Sequence, residues 1–204
     1  MQYPLYRVEF AKNSLEDHMS SLTGQLLIAM PQMFDPFFAR SVVYLCAHSP
    51  ESGAMGLVIN KTIDSLTMDE LYTQLKIEPV LQASRQQPVH FGGPVAPGHG
   101  FVLHSPDYRE EGTLGIGDEF AMTATVDILR ANGKGEGPQR WLVALGYAGW
   151  GPGQLDAEIH ANGWLSVAAD TGLVFDAEDE SKWQRALAKL GVSPEMLSGD
   201  SGRA

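Results

Sequence analysis

The chain has 204 residues, of which 44% are hydrophobic, so it can bury one sizeable core. Its formal net charge is −11, with 14 Lys and Arg residues against 25 Asp and Glu residues. Nucleic-acid binding depends on clustered cations that neutralise phosphates, so this balance argues against direct DNA binding. The single cysteine, Cys46, excludes an intramolecular disulfide and favours a reducing compartment.

The N-terminal segment has neither the composition of a signal peptide nor that of a membrane span. Residues 1–18 contain five Lys, Arg, Asp and Glu residues and no apolar stretch, and no other segment approaches the roughly 18 apolar residues of a membrane helix. We therefore expect a cytoplasmic protein without a membrane partner. Residues 1–21 are expected to be a flexible leader, and translation from either Met1 or Met19 fits the sequence.

Short apolar runs bounded by turn residues predict strands along most of the chain. The predicted strands cover residues 25–30, 41–47, 54–60, 89–91, 100–104, 120–124, 141–146 and 164–167. The second and third strands are close enough in sequence to form an antiparallel hairpin.

Helical spacing predicts the remaining elements. A single turn is expected at residues 36–40, capped by Asp35, and a helix follows the capping box formed by Thr67 and Glu70. Further helices are expected over residues 126–131, after Gly153, and from about residue 179 to Leu190. The irregular order of strands and helices predicts an α/β (α+β) fold. This fold is a single compact domain over residues 22–192, with a mixed, largely antiparallel sheet and flanking helices, followed by a tail over residues 193–204.

A strand, a glycine-rich turn and a helix follow one another between residues 142 and 159. Such turns expose backbone N–H groups that can bind phosphate. The glycines lie at positions 146, 149, 151 and 153, which matches neither a dinucleotide fingerprint nor a P-loop, and no lysine accompanies them. We favour a tight turn around Trp150.

Three histidines, His90, His99 and His104, lie within fifteen positions of one another. They could suggest a metal site, but the His-x-x-x-His spacing of a helical zinc site does not occur. We interpret them as ordinary surface or strand-end histidines, and we predict neither a metal nor a cofactor.

Cys46 and His48 are two residues apart, so a regular strand would direct both side chains to one face. A thiolate beside an imidazole is the beginning of nucleophilic catalysis, although the apolar run around Cys46 favours a buried, unreactive thiol. No catalytic residue is assigned. The alternative function is an enzyme for a small polar substrate that uses Cys46, His48, His104 or Glu158.

The final predicted helix carries Lys182, Arg185 and Lys189 opposite its apolar stripe. This is the chain's one basic stripe. A recognition helix could use such residues, but no helix-turn-helix partner precedes it, so a solvated face is the simpler interpretation.

A series of motifs, in order and at matching spacing, resembles the AlgH/YqgE family over about residues 24–192. The motifs are LIAMP (27–31), DPxF (35–38), SVVYLC (41–46), GAMGLVINK (53–61), GGPV (92–95), GFVLH (100–104), ALGYAGW (144–150) and GQL (153–155), followed by Glu158, Asn162 and Trp164. The resemblance implies a bacterial protein with a mixed α/β fold. Most members are uncharacterised, and some carry the label of transcriptional regulator.

We therefore expect a non-enzymatic regulatory or binding protein that acts through a protein partner or a small ligand and does not bind DNA directly. Its surface should form at strand ends, where loops carry function. The candidate surface residues are Asp35, Pro36, Asn60, Lys61, Gly92, Gly93, Pro94, His104, Tyr147, Trp150, Gln154 and Glu158.

Overall fold

The computed structural model describes residues 21–176 and 178–197. In this part of the chain the strands are β1 (Gln25–Ala29), β2 (Val42–Ser49), β3 (Gly53–Val58), β4 (Thr62–Thr67), β5 (Pro88–Phe91), β6 (Val95–His104), β7 (Leu114–Ile116), β8 (Phe120–Thr123), β9 (Trp141–Trp150) and β10 (Trp164–Ala168). The helices are α1 (Met68–Gln74), α2 (Gln82–Arg85), α3 (Val126–Lys134), α4 (Gln154–His160), α5 (Thr171–Val174), α6 (Asp179–Lys189) and α7 (Pro194–Leu197).

The strands form one sheet whose main order is β10-β1-β2-β3-β9-β6-β8-β7, and β5 joins β4 to β9 beside this path. All pairs are antiparallel except β5 with β9. Four strand intervals separate β2 from β8, which is about 19 Å in a flat sheet. Yet the rings of Tyr44 and Phe120 on these two strands lie 4.8 Å apart. The sheet therefore curls on itself, and the predicted mixed, largely antiparallel α/β fold is confirmed.

Alternate residues of the central strands enter different cores, as the two-residue period of a strand requires. Ile28 faces the first core, inside the curl, where Trp183 and Leu187 of α6 also pack. Ala29 faces the second core, which is covered by Leu155 of α4. A third core lies between the sheet and the helices α1 and α3. Helices thus cover both faces of the sheet.

Local signals placed several elements correctly. The capping box is present, since the Thr67 side chain accepts the Glu70 N–H and the Glu70 side chain accepts the Thr67 N–H. The β2–β3 hairpin forms as predicted. The strand predicted for residues 141–146 is longer, because Ala148 to Trp150 pair with β3 and belong to β9 instead of to a loop.

Gly92 and Gly93 lie beside the point at which β9 changes its pairing strand from β5 to β3. A Cβ atom on Gly92 would lie 2.2 Å from the carbonyl oxygen of Gly146, and one on Gly93 would lie 2.1 Å from the carbonyl carbon of Tyr147. Val58 donates its N–H to Gly92, which donates its own N–H to Leu145. Glycine is needed here because two backbones approach closely.

The predicted leader, apart from residue 21, lies outside the described residues, and so does the tail from residue 198 onwards. The described start of the predicted tail contains α7. None of the helices that the structure describes combines the length and apolar character needed to cross a bilayer.

Candidate functional site

Residues 31–40, here called the aromatic loop, connect β1 to β2 and expose two aromatic rings. Phe34 is 87% exposed and Phe37 is 47% exposed. The loop is built as the sequence suggests: the Asp35 carboxylate accepts the Phe37 N–H at 2.8 Å, and residues 36–40 form a hydrogen-bonded turn, although not a helix. The Phe37 ring stacks on Phe91, with ring centroids 5.7 Å apart. The loop therefore presents aromatic surface from a defined backbone.

Asn60 and Lys61 hold this loop from the end of β3. The Lys61 ammonium donates to the carbonyl oxygens of Pro36 at 3.2 Å and Phe37 at 2.9 Å. The Asn60 side chain accepts the Val42 N–H and donates to the Arg40 carbonyl oxygen. Partial burial lowers the pKa of Lys61, and the nearby Asp35 carboxylate raises it in part. Both predicted surface residues are thus committed to bracing the loop.

Glu158 forms the centre of a second group beneath the loop. One of its carboxylate oxygens accepts the indole N–H groups of Trp150 at 3.0 Å and Trp164 at 2.8 Å, and the other accepts the Gln154 amide at 2.9 Å. The ring of Phe38 packs against both tryptophans, with centroids 6.4 Å and 5.7 Å away. We predicted a shared surface for Trp150, Gln154 and Glu158. The structure brings them together in one hydrogen-bonded group centred on Glu158, here called the Glu158 pin.

The remaining predicted surface residues differ in position. Gly92 and Gly93 are buried, and Pro94 is exposed after them. Tyr147 is half-buried in β9 and packs edge-on against Phe101, with the ring centroids 5.9 Å apart.

His104 lies elsewhere and is 0% exposed, so it cannot belong to a surface. Its Nδ1 atom donates to the Ser105 carbonyl oxygen at 2.8 Å, and its Nε2 atom accepts from the Thr123 hydroxyl at 2.9 Å. Thr123 in turn bonds to the Thr113 hydroxyl at 2.8 Å. Burial lowers the pKa of His104, while the Ser105 bond and nearby carboxylates raise it in part. The environment suits a neutral, structural imidazole.

The basic stripe predicted on the final helix is a solvated face only in part, because Arg185 and Lys189 reach the surface and Lys182 does not. Lys182 is 1% exposed, and its ammonium donates to the carbonyl oxygens of Ile59 at 3.0 Å and Val174 at 3.1 Å. It also forms an ion pair with Asp179 at 2.7 Å, while His90 contacts the other oxygen of Asp179 at 3.1 Å. The prediction was wrong for Lys182 because α6 packs over the end of β3, whose Ile59 carbonyl needs a donor.

Burial by itself would raise the pKa of Asp179, but the bonds and charges of His90 and Lys182 lower it overall. Burial lowers the pKa of Lys182, and Asp179 opposes that shift. The other two members of the stripe are also paired. Arg185 contacts Asp176 at 2.8 Å and Lys189 contacts Asp170.

Cys46 and His48 do not face a common space. A β-bulge shifts the register of β2 between Leu45 and Ala47, which breaks the regular alternation. Cys46 packs in the first core, where burial raises the pKa of its thiol. The His48 ring instead accepts the Leu22 N–H at 3.1 Å and lies 3.5 Å from the Asp156 carboxylate.

No group of three His, Cys, Asp or Glu side chains converges as metal ligands would within the described residues. His90 and His104 have the separate partners given above, and His99 is exposed in β6.

Comparison with known proteins identifies the family. The AlgH-like family matches residues 26–195. The chain belongs to the AlgH-like family. Among its relatives, a UPF0301 protein of Jannaschia sp. (strain CCS1) is 53% identical, over 94% of this chain and 100% of that protein. A UPF0301 protein of Rhodospirillum rubrum is 49% identical, over 93% of this chain and 98% of the relative.

Two solved structures resemble this AlgH-like chain. The solution structure of the AlgH protein from Pseudomonas aeruginosa has a TM-score of 0.73 and 41% sequence identity, and the match covers 96% of this chain and 100% of that one. The crystal structure of the protein DIP2367 from Corynebacterium diphtheriae has a TM-score of 0.68 at 20% identity, covering 86% and 91% of the two chains, and shows likeness of fold alone.

Sequence reasoning missed the two residues that dominate the exposed surface of the aromatic loop, Phe34 and Phe37. The motif that contains Phe37 was noticed, but nothing in the sequence says which ring of residues 34, 37 and 38 turns inward. Hydrophobic periodicity predicts burial only in helices and strands. In an irregular loop, the burial of a side chain depends on which other parts of the protein pack against it.

Proposed function

We propose that this AlgH-like protein is a non-enzymatic regulatory protein that binds a protein partner through the aromatic loop. The observation that carries the proposal is the exposure of Phe34 and Phe37 on a loop whose backbone is fixed by side-chain hydrogen bonds. Single exposed apolar residues are common and need no explanation. Two exposed rings on one braced loop are less ordinary, because aromatic side chains are enriched at protein interfaces.

Rigidity supports this assignment. Ordering a loop on binding reduces affinity, whereas a loop already held in shape avoids that loss. The Lys61 ammonium and the Asn60 amide point inward to the loop carbonyls and so contribute stiffness instead of recognition. Recognition is left to the two phenylalanine rings and to the exposed side chain of Asp35.

The charge arrangement supports action through a partner over direct DNA binding. The cations of the α6 stripe are paired with Asp179, Asp176 and Asp170, and Lys182 is buried. Phosphate binding would require breaking these pairs. We expect no gel shift with duplex DNA at physiological salt.

The enzyme alternative receives less support. Cys46, His48, His104 and Glu158 each have their own hydrogen-bonding partners, and in the described part of the chain the four have no partner in common. A base must reach its nucleophile within hydrogen-bond distance.

The test is affinity capture from a bacterial lysate with the wild-type protein and three variants. Phe34→Ser with Phe37→Ser removes both rings, and Val80→Ser with Met196→Ser is the matched control because those residues are 75% and 72% exposed. We expect a protein that is retained by the wild type and the control and lost by the loop variant.

Lys61→Met is the third variant, and it should weaken capture while leaving both rings in place, since it removes the brace alone. Equal recovery on the wild type and on the loop variant would overturn the proposal, as would recovery of no specific protein by either.

A further inference from the structure

A cavity of about 250 Å³ lies beside the C-terminal end of α3, away from the aromatic loop. Ser84, Asn132 and Pro138 are its buried residues, and Gly135 and the half-buried Trp141 lie nearer the solvent. The other lining residues are Leu81, Ala83, Gly137 and Gln139. At about 30 Å³ per water molecule, the volume equals about eight waters, which is enough for a small ring compound.

Asn132 is the unexplained member of this lining. The residue is 4% exposed, and neither its amide nitrogen nor its amide oxygen has a hydrogen-bond partner among the residues described. Buried side-chain amides are normally paired, and a leucine of similar shape would avoid the unfavourable burial.

Gly135 and Gly137 let the loop after α3 pack closely against Leu81 and the Asn132 amide. A Cβ atom on Gly137 would lie 1.9 Å from Asn132 Oδ1, and one on Gly135 would lie 2.8 Å from Leu81 Cδ1. Residues 134–136 are exposed and Gly137 is half-buried, so the loop shields the amide from solvent. Because both amide atoms are shielded, a ligand can bond to them only if this loop moves.

The chemistry of the lining narrows the ligand class. None of the nine lining residues carries a charged side chain, which disfavours an ionic ligand. Leu81, Pro138 and Trp141 offer apolar surface for a ring, while the amide offers one donor and one acceptor side by side. Asparagine pairs with the edge of adenine through two such bonds.

We propose that this cavity binds a neutral planar group that carries a hydrogen-bond donor next to an acceptor, with both bonds made to the Asn132 amide. A nucleobase edge and a primary carboxamide share this chemistry. Since none of residues 31–40 lines the cavity, the site is independent of the partner surface.

The experiment is a ¹H–¹⁵N NMR titration of the whole protein with 9-methyladenine and, separately, with nicotinamide. Each probe has a matched analogue without the donor: 9-methylpurine for 9-methyladenine and 3-acetylpyridine for nicotinamide. We expect one or both probes to shift the Asn132 side-chain signals together with those of Gly135, Gly137 and the Trp141 indole. The analogues should bind at least tenfold more weakly, and the stronger probe identifies the source of the group.

Two variants and a control make the outcome specific. Asn132→Leu should reduce probe affinity at least tenfold while keeping the unfolding midpoint equal or higher. Gly137→Ala should have the same effect on binding, because its methyl group displaces the amide, and Gly137 is not among the glycines with positive φ. Gly98→Ala is the control, since a Cβ atom there meets nothing within 4 Å.

Three results would overturn the site: no shift with either probe, equal shifts in wild type and Asn132→Leu, or equal binding of the donor-free analogues. The variant Phe34→Ser with Phe37→Ser should bind the probes normally. The affinity capture with this variant therefore tests the partner-binding proposal alone. A negative result for one proposal leaves the other unaffected.

Discussion

The Glu158 pin gives the most quantitative prediction about the stability of this protein. In Glu158→Ala, the indole N–H groups of Trp150 and Trp164 lose their acceptor. The two tryptophans are 7% and 2% exposed, so water replaces that acceptor poorly. An unpaired buried donor costs about 1–3 kcal/mol. Because Glu158 is itself half-exposed, we expect a total loss of about 2–4 kcal/mol in the free energy of unfolding.

Glu158→Gln should be milder, at about 1 kcal/mol, because one amide oxygen still accepts both indoles while its NH₂ group faces the Gln154 amide donor. For a chain of this size the alanine variant should unfold about 4–16 °C lower. The assay is urea unfolding followed by tryptophan fluorescence, with a thermal scan beside it. Glu111→Ala, at an exposed position, is the control. A loss below about 0.5 kcal/mol in Glu158→Ala, the range of ordinary surface substitutions, would refute the reasoning.

Three further predictions concern the buried polar groups. Asp179→Asn should lower the free energy of unfolding by about 3–5 kcal/mol, measured in urea, because it leaves Lys182 and His90 buried without their anion. The pKa of Asp179 is lower in the folded than in the unfolded protein, so its ionised form stabilises the fold fully above about pH 4. This stabilisation is lost as the pH falls through the lowered pKa. The variant should therefore lose less stability in acid than the wild type does. The pKa of His104, measured by ¹⁵N NMR, should lie below the ordinary histidine value of about 6.5, and a pKa at or above that value would contradict the hydrogen bonds of the buried ring. Cys46 should react with a thiol reagent only after denaturant is added, and fast labelling of the native protein would show that it is accessible.

The sequence predicted well those features that depend on neighbours along the chain. The capping box at Thr67 and Glu70 is a set of contacts three residues apart. The apolar stripe of α6, with Trp183 and Leu187, follows from helical spacing, and Gly191 takes the left-handed conformation expected after a helix. Strand periodicity placed most of the sheet in the same way.

The candidate site was predicted only in part. The grouping of Trp150, Gln154 and Glu158 followed from one turn and one helix that adjoin each other. His104 was included because a polar residue near a strand end suggests a surface, but Tyr108 and Thr123 pack against its ring and bury it. Phe34 was missed because exposure within an irregular loop depends on distant packing.

The sequence by itself determined the class of fold, the family and the acidic surface, because these rest on composition, short spacings and motif order. Only the tertiary structure decided that Lys182, 123 residues from the carbonyl of Ile59 that it contacts, is buried instead of solvated. Tertiary packing likewise left the Asn132 amide unpaired and turned Phe34 outward. The physical reason is common to all three. Whether a polar side chain is hydrated, hydrogen-bonded or left without a partner depends on the groups that folding brings near it. Those groups are far away in the sequence, so the local sequence pattern does not predict the contact.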